Sequence, residues 1–122
     1  MNRRSEGFAN LKKAVEGFVN HKYAEGLRPR TIDSYERLLH KWIDYQGDKP
    51  VDQVTPKEIR EYLRWLRTDY QPIRKNGKTH ALSQKTIRNI WVTLSSFFKW
   101  AETEFEIENP MNNLPAPKIQ MK

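Results

Sequence analysis

The sequence predicts an all-α fold: an orthogonal bundle of four helices, or five with a short closing turn. Three observations carry this. Apolar residues recur at i, i+3, i+4 and i+7 in four separate stretches, the spacing that puts them on one helical stripe. Start and stop residues stand at the ends of those stretches: Gly26 and Gly47 as stops, Thr55-Pro56-Lys57-Glu58 and Ser83 as starts. Aromatic residues make up 11% of the chain, enough large rings for one modest core in 122 residues although hydrophobic content is only 37%.

Residues 1–6 are polar and expected to fray. From residue 7 to 25, Phe8, Leu11, Val15, Phe18, Val19 and Tyr23 define a first helix that Gly26 ends with a left-handed residue. Pro29 fits the first turn of a second helix, where its missing N–H costs nothing. That helix runs to about Gln46, with Ile32, Tyr35, Leu39, Trp42 and Ile43 inward. Its outer face carries Arg30, Ser34, Arg37, His40 and Lys41, diluted by Asp33 and Asp44. Residues 48–54 are too short and broken for an element.

Thr55-Pro56-Lys57-Glu58 is a capping box with proline at the first helical position. The third helix it opens buries Ile59, Tyr62, Leu63 and Leu66, and ends near Asp69; its exposed side mixes both charge signs and reads as solvated. Residues 70–82 form a long link containing Pro72 and the turn dipeptide Asn76-Gly77. The stretch on which the core is organised follows, residues 83–101, with Ile87, Ile90, Trp91, Leu94, Phe97, Phe98 and Ala101 on one stripe and Ser83 as N-cap. The opposite face reads Lys85, Arg88, Asn89, Val92, Ser96 and Lys99. After this fourth helix, Glu102, Glu104, Glu106 and Glu108 form an acidic cluster, residues 111–114 a closing turn, and residues 115–122 a linker or tail.

The chain carries a net charge of +7 with a pI near 9.7, which favours a polyanionic partner. The charge is also segregated: residues 70–101 hold six Lys or Arg (Arg74, Lys75, Lys78, Lys85, Arg88, Lys99) and no Asp or Glu. Ordinary solvation also produces such faces, but the acidic cluster behind the fourth helix would repel phosphate and so confines any DNA to that helix's start and middle. There is no cysteine, which excludes disulfides and thiolate metal sites and fits a cytoplasmic setting. No apolar run reaches membrane-spanning length. No Gly-rich phosphate loop, G-x-S-x-G or His-Glu-x-x-His motif is present, and His21, His40 and His80 lack metal-ligand spacing. This points to no cofactor, no metal and no catalytic constellation in this chain alone.

Leu27-x-x-x-Thr31-x-x-x-Tyr35-x-x-x-Leu39 closing with Trp42 resembles the second-helix signature of the N-terminal core-binding (SAM-like) domain of tyrosine recombinases and phage integrases. Ser83-x-x-Thr86-Ile87 followed by Leu94, Phe97, Phe98 and Trp100-Ala101 resembles that domain's fourth helix. Thr55-Pro56 and Asn109-Pro110 match its third-helix start and its end. One departure is Arg28, where the family usually places a capping serine. The resemblance spans residues 7–118. It implies a core-binding domain over 1–114, then the start of a linker at 115–122 to a catalytic domain bearing an arginine, a His-x-x-Arg motif and a tyrosine nucleophile. None of those motifs stands here, since no histidine is followed by x-x-Arg.

The same resemblance implies one half of a clamp around double-stranded DNA, with the second and fourth helices facing the major groove. Carried over residue by residue, it implicates Arg28, Arg30, Thr31, Ser34, Arg37 and Lys41 on one helix. On the other it implicates Ser83, Lys85, Thr86, Arg88, Asn89, Ser96 and Lys99, with Arg74, Lys75 and Lys78 as loop contacts. Lys and Arg would neutralise phosphates, Ser83 and Thr86 would hold a phosphate at a helix start, and Asn89 and Arg88 suit adenine and guanine edges. The implied partners are DNA and further recombinase protomers, with the isolated domain a monomer. Two other classes remain open on the residues alone: a helical protein-interaction module, and a small dimeric DNA-binding regulator. The long link before the fourth helix argues against a tight helix-turn-helix.

Overall fold

The computed structural model describes residues 9–68 and 83–116, and among these the order is α1 (Leu11–Glu25), α2 (Pro29–Gln46), α3 (Pro56–Thr68) and α4 (Gln84–Phe105). The bundle is all-α, as the apolar spacing requires.

Each helix boundary has a local cause. Gly26 ends α1 at φ 89°, ψ 17°, its N–H donating to the Tyr23 carbonyl while the Leu27 N–H reaches back to Lys22, the pairing that satisfies the last carbonyls. Pro29 opens α2, and Arg28 stands at its N-cap with no side-chain capping bond, as expected where serine is missing. The Thr55 capping box closes in both directions: the Glu58 N–H donates to Thr55 Oγ1 at 3.2 Å, and the Thr55 N–H donates to Glu58 Oε1 at 2.9 Å. Ser83 Oγ accepts from the Thr86 N–H at 3.1 Å and starts α4.

Lys49 Nζ also donates to the Glu58 carboxylate. Partial burial works against ionisation of Glu58, yet the bonds from Lys49 and Thr55 outweigh it and hold the carboxyl below its ordinary value of 4.5. A depressed folded pKa stabilises the fold above the ordinary value, and this contribution is lost as pH falls through the lower one. Urea denaturation of wild type and Glu58→Gln should therefore show a gap of about 0.5 kcal/mol near neutrality that closes well below pH 4.5; the site is partly solvated, so the gap is small. A gap that grows on acidification would contradict the assignment.

Residues 48–54 depart from expectation. They hold a 3-10 turn at Val51–Gln53 and pair with the entry to α1: Leu11 N–H donates to the Lys49 carbonyl and Val51 N–H to the Ala9 carbonyl, both at 2.9 Å. Asn10 makes no side-chain cap for α1; Asp48 does so from across the fold, accepting from the Lys12 N–H at 3.1 Å. The stop after α2 is thus also the start of α1. That reciprocity depends on contacts some 36 residues apart, outside the reach of local spacing.

The core sits where α4 meets α1 and α2. Phe97 is fully buried and touches Phe18 edge-on at 5.5 Å, Phe98 at 5.0 Å, Trp100 at 5.9 Å and Trp42 at 6.5 Å between ring centroids. Ile59, Tyr62 and Leu66 bring α3 onto the same cluster, and Met111 and Leu114 of the closing turn cover it. The predicted inner stripes hold with five adjustments, and Phe8 lies outside the described residues. Tyr23 is exposed because it lies in the last turn of α1, past the packed face; Val19, Tyr35, Leu63 and Trp91 are only half-buried.

Gly17 lets α1 approach α4. A Cβ there would stand 3.1 Å from Trp100 Cη2 and 3.2 Å from Cζ2, and the Trp100 ring is already packed on Phe18 at 5.7 Å and Phe105 at 5.5 Å. Gly17→Val should displace the indole and cost about 2 kcal/mol in chemical denaturation. A neutral result would show that the Trp100 ring can move aside at no cost.

Candidate nucleic-acid interface

The outer faces of α2 and α4 carry the residues the sequence singled out. Successive helical residues turn by 100°, so Arg30, Ser34, Arg37 and Lys41 fall within a sector of about 60° along some 16 Å of α2. Arg30 and Arg37 are exposed; Ser34 and Lys41 are half-buried. Thr31 is exposed on the flank of this stripe, and Arg28 is exposed in extended backbone just before the helix. Asp33 and Asp44 also lie exposed on α2, and Glu36 stands 4.0 Å from His40. The field of the α2 face is therefore mixed.

The α4 face is longer and carries one sign. Lys85, Arg88, Asn89, Val92, Ser96 and Lys99 share a sector of about 100°, with roughly 21 Å from the first lysine to the last. All are exposed except the half-buried Ser96. Three cations and no carboxylate stand between Gln84 and Ala101.

Thr86 is half-buried at the edge of this sector. Its hydroxyl lies 2.9 Å from that of Ser83, whose oxygen already caps the helix. These two hydroxyls are thus occupied in holding the helix start. Arg74, Lys75 and Lys78 lie outside the described residues.

The acidic end of the chain differs in character. Glu102 is half-buried and accepts from Asn109 Nδ2 at 3.4 Å. Beyond it a cleft of about 450 Å³ is lined by Asp52, Glu106 and Glu108 with no lysine or arginine among its walls, a surface that disfavours phosphate. Among the described residues no cluster of His, Asp or Glu is arranged to hold a metal ion, and no helix is long and apolar enough to cross a membrane.

The fold and this surface define a small helical module with its charged and polar residues displayed on exposed helix faces. Residues 15–105 match the model of the phage integrase N-terminal SAM-like domain, and the chain belongs to that family. It is 30% identical over 111 residues to the tyrosine recombinase XerC of Alcanivorax borkumensis, covering 89% of this chain and 33% of that protein. The integrase of mycobacterium phage Brujita shares the fold, with a TM-score of 0.67 at 18% identity over 88% of this chain and 33% of the other. The chain thus spans about a third of the length of each of these relatives.

Proposed function

We propose that this chain is the DNA-binding half-clamp of a site-specific tyrosine recombinase, holding the duplex while strand exchange is carried out by a catalytic domain that these residues do not include. The observation that carries this reading is the outer face of α4: about 21 Å of helix with three cations, small polar residues and no carboxylate. It lies on the reverse of the helix's core-forming ridge, so the fold holds it rigid. A B-DNA major groove admits one α-helix, and lysine and arginine on such a helix displace phosphate counterions. The family supplies the second support, because the matched family model is that of the phage integrase N-terminal SAM-like domain and the matched relative is a tyrosine recombinase.

In this reading α2 adds Arg28, Arg30, Arg37 and Lys41 as further phosphate contacts, and Asn89 and Arg88 face base edges. Arg74, Lys75 and Lys78 extend the same surface, and residues 115–122 begin the interdomain linker. Other recombinase protomers complete the assembly, and the work is done with the genome in the cytoplasm. The domain by itself is a monomer that binds weakly, because a half-clamp grips one side only.

The test is an NMR titration of the labelled chain with a short duplex at low and then moderate salt. Shifts concentrated on residues 28–41 and 83–99 that fade as salt rises are expected. Shifts scattered over the surface, or none, would overturn the reading in favour of a protein-interaction module.

A further inference from the structure

On α4 the polar pattern is inverted at one place. Val92 lies in the middle of the outer face and is 40% exposed, while its neighbour Thr93 turns into the core at 2% exposure. The inversion is not a slip of register. Ile90, Leu94, Phe97 and Phe98 around it are all buried, and the Thr93 hydroxyl is satisfied by donating to the Asn89 carbonyl at 2.9 Å.

Val92 contributes nothing visible to the fold. It is absent from the core and from the apolar residues packed against it. A β-branched residue on an exposed helix face is also a weaker helix former than the lysine, arginine or glutamine usual there. Its surroundings suit close approach by a polyanion. Arg88 and Asn89 stand one turn before it and Ser96 one turn after, and Lys85 and Lys99 stand two turns to either side. The short side chains of Asn89 and Ser96 leave Val92 accessible between them, and the cations along the stripe, Arg88 among them, match the phosphate walls of a groove.

We infer that Val92 is a base-reading residue: its methyl groups contact the C5-methyl of a thymine on the major-groove floor. This rests on the DNA-binding reading above. Major-groove readout distinguishes thymine by that methyl group, and apolar side chains are what recognise it. The flanking lysines favour DNA over an apolar protein partner as the occupant of this face. They supply orientation without sequence information, and Val92 supplies discrimination without charge.

Duplexes selected from a randomised library by the wild-type chain at low salt should be enriched in thymine at one position. Replacing that thymine by uracil, which removes only the methyl group, should weaken binding about fourfold, the value of one buried methyl-sized group. Val92→Ser, which has no methyl group and a similar helix propensity, should bind the thymine and uracil duplexes equally, with an unchanged salt dependence and unchanged thermal stability. Salt-dependent DNA binding with no thymine preference, or a uracil penalty that persists in Val92→Ser, would overturn the inference and leave the half-clamp standing. No DNA affinity at low salt would overturn the half-clamp reading itself, and the inference with it. Capture of an apolar peptide by wild type but not by Val92→Ser, in the presence of duplex, would assign the residue to a protein partner instead.

Discussion

Phe97→Ala should cost the fold about 3–5 kcal/mol, among the largest effects expected of a side-chain truncation in this chain. The ring is fully buried and stands at the centre of an aromatic network joining α1 through Phe18, α2 through Trp42, and α4 through Phe98 and Trp100. Truncation removes transfer free energy and leaves a cavity that rigid rings cannot fill. The edge-on contacts, worth about 0.5–1.5 kcal/mol per pair beyond buried area, are lost with it. A domain of this size is stable by only about 5–15 kcal/mol, so the variant should show a much lower urea midpoint, and on a marginal fold would be unfolded at 37 °C. Phe97→Leu, which keeps most of the volume, should recover more than half of the loss. A cost below about 1.5 kcal/mol for Phe97→Ala would mean that the core is centred elsewhere.

Lys85→Glu combined with Lys99→Glu should abolish most DNA affinity while leaving stability within about 0.5 kcal/mol of wild type, since both side chains are exposed. Each phosphate contact contributes about 0.9 to the slope of log affinity against log salt, and at 50 mM salt that amounts to roughly tenfold per contact. Losing two contacts should weaken binding about a hundredfold at that salt and flatten the slope by about 1.8; repulsion by the new carboxylates adds to the loss. Fluorescence anisotropy across a salt series reads both quantities. An unchanged slope would show that α4 does not meet the phosphate backbone. The same double change in α3, at Lys57 and Arg60 on its exposed mixed-charge side, should alter the slope little.

How far these results were legible in advance varies with the range of the cause. Ser83, Gly26 and the Thr55–Glu58 box announce their helix ends because a cap is an interaction across three or four residues, and the sequence displays such pairs side by side. The inner stripe of α4 was equally open to view, since one face of a helix repeats every 3.6 residues whatever it packs against. The outward stripe of cations comes with it by subtraction. The candidate residues on α2 and α4 could therefore be named from spacing, and the resemblance to recombinase core-binding domains supplied a reason to choose them over any other solvated face.

The chain by itself determined four helices, the caps at Gly26, Thr55 and Ser83, the identity of the core-forming ridge and a segregation of positive charge. It did not give the start of α1, which is Leu11 and not residue 7, or the end of α4, which is Phe105 and not residue 101. Tertiary structure alone decided that Asp48 caps the first turn of α1 by accepting from Lys12, 36 residues earlier. It also decided that Gly17 exists to admit the Trp100 ring, and that Tyr23 faces solvent while Thr93 faces the core. The physical reason is the same in each case. A hydrogen bond or a stripe within one helix is fixed by backbone geometry that every helix shares. Which atom fills a distant cap, and which turn of a helix extends past its partner, depends on how rigid bodies settle together, and a periodic pattern carries no record of that.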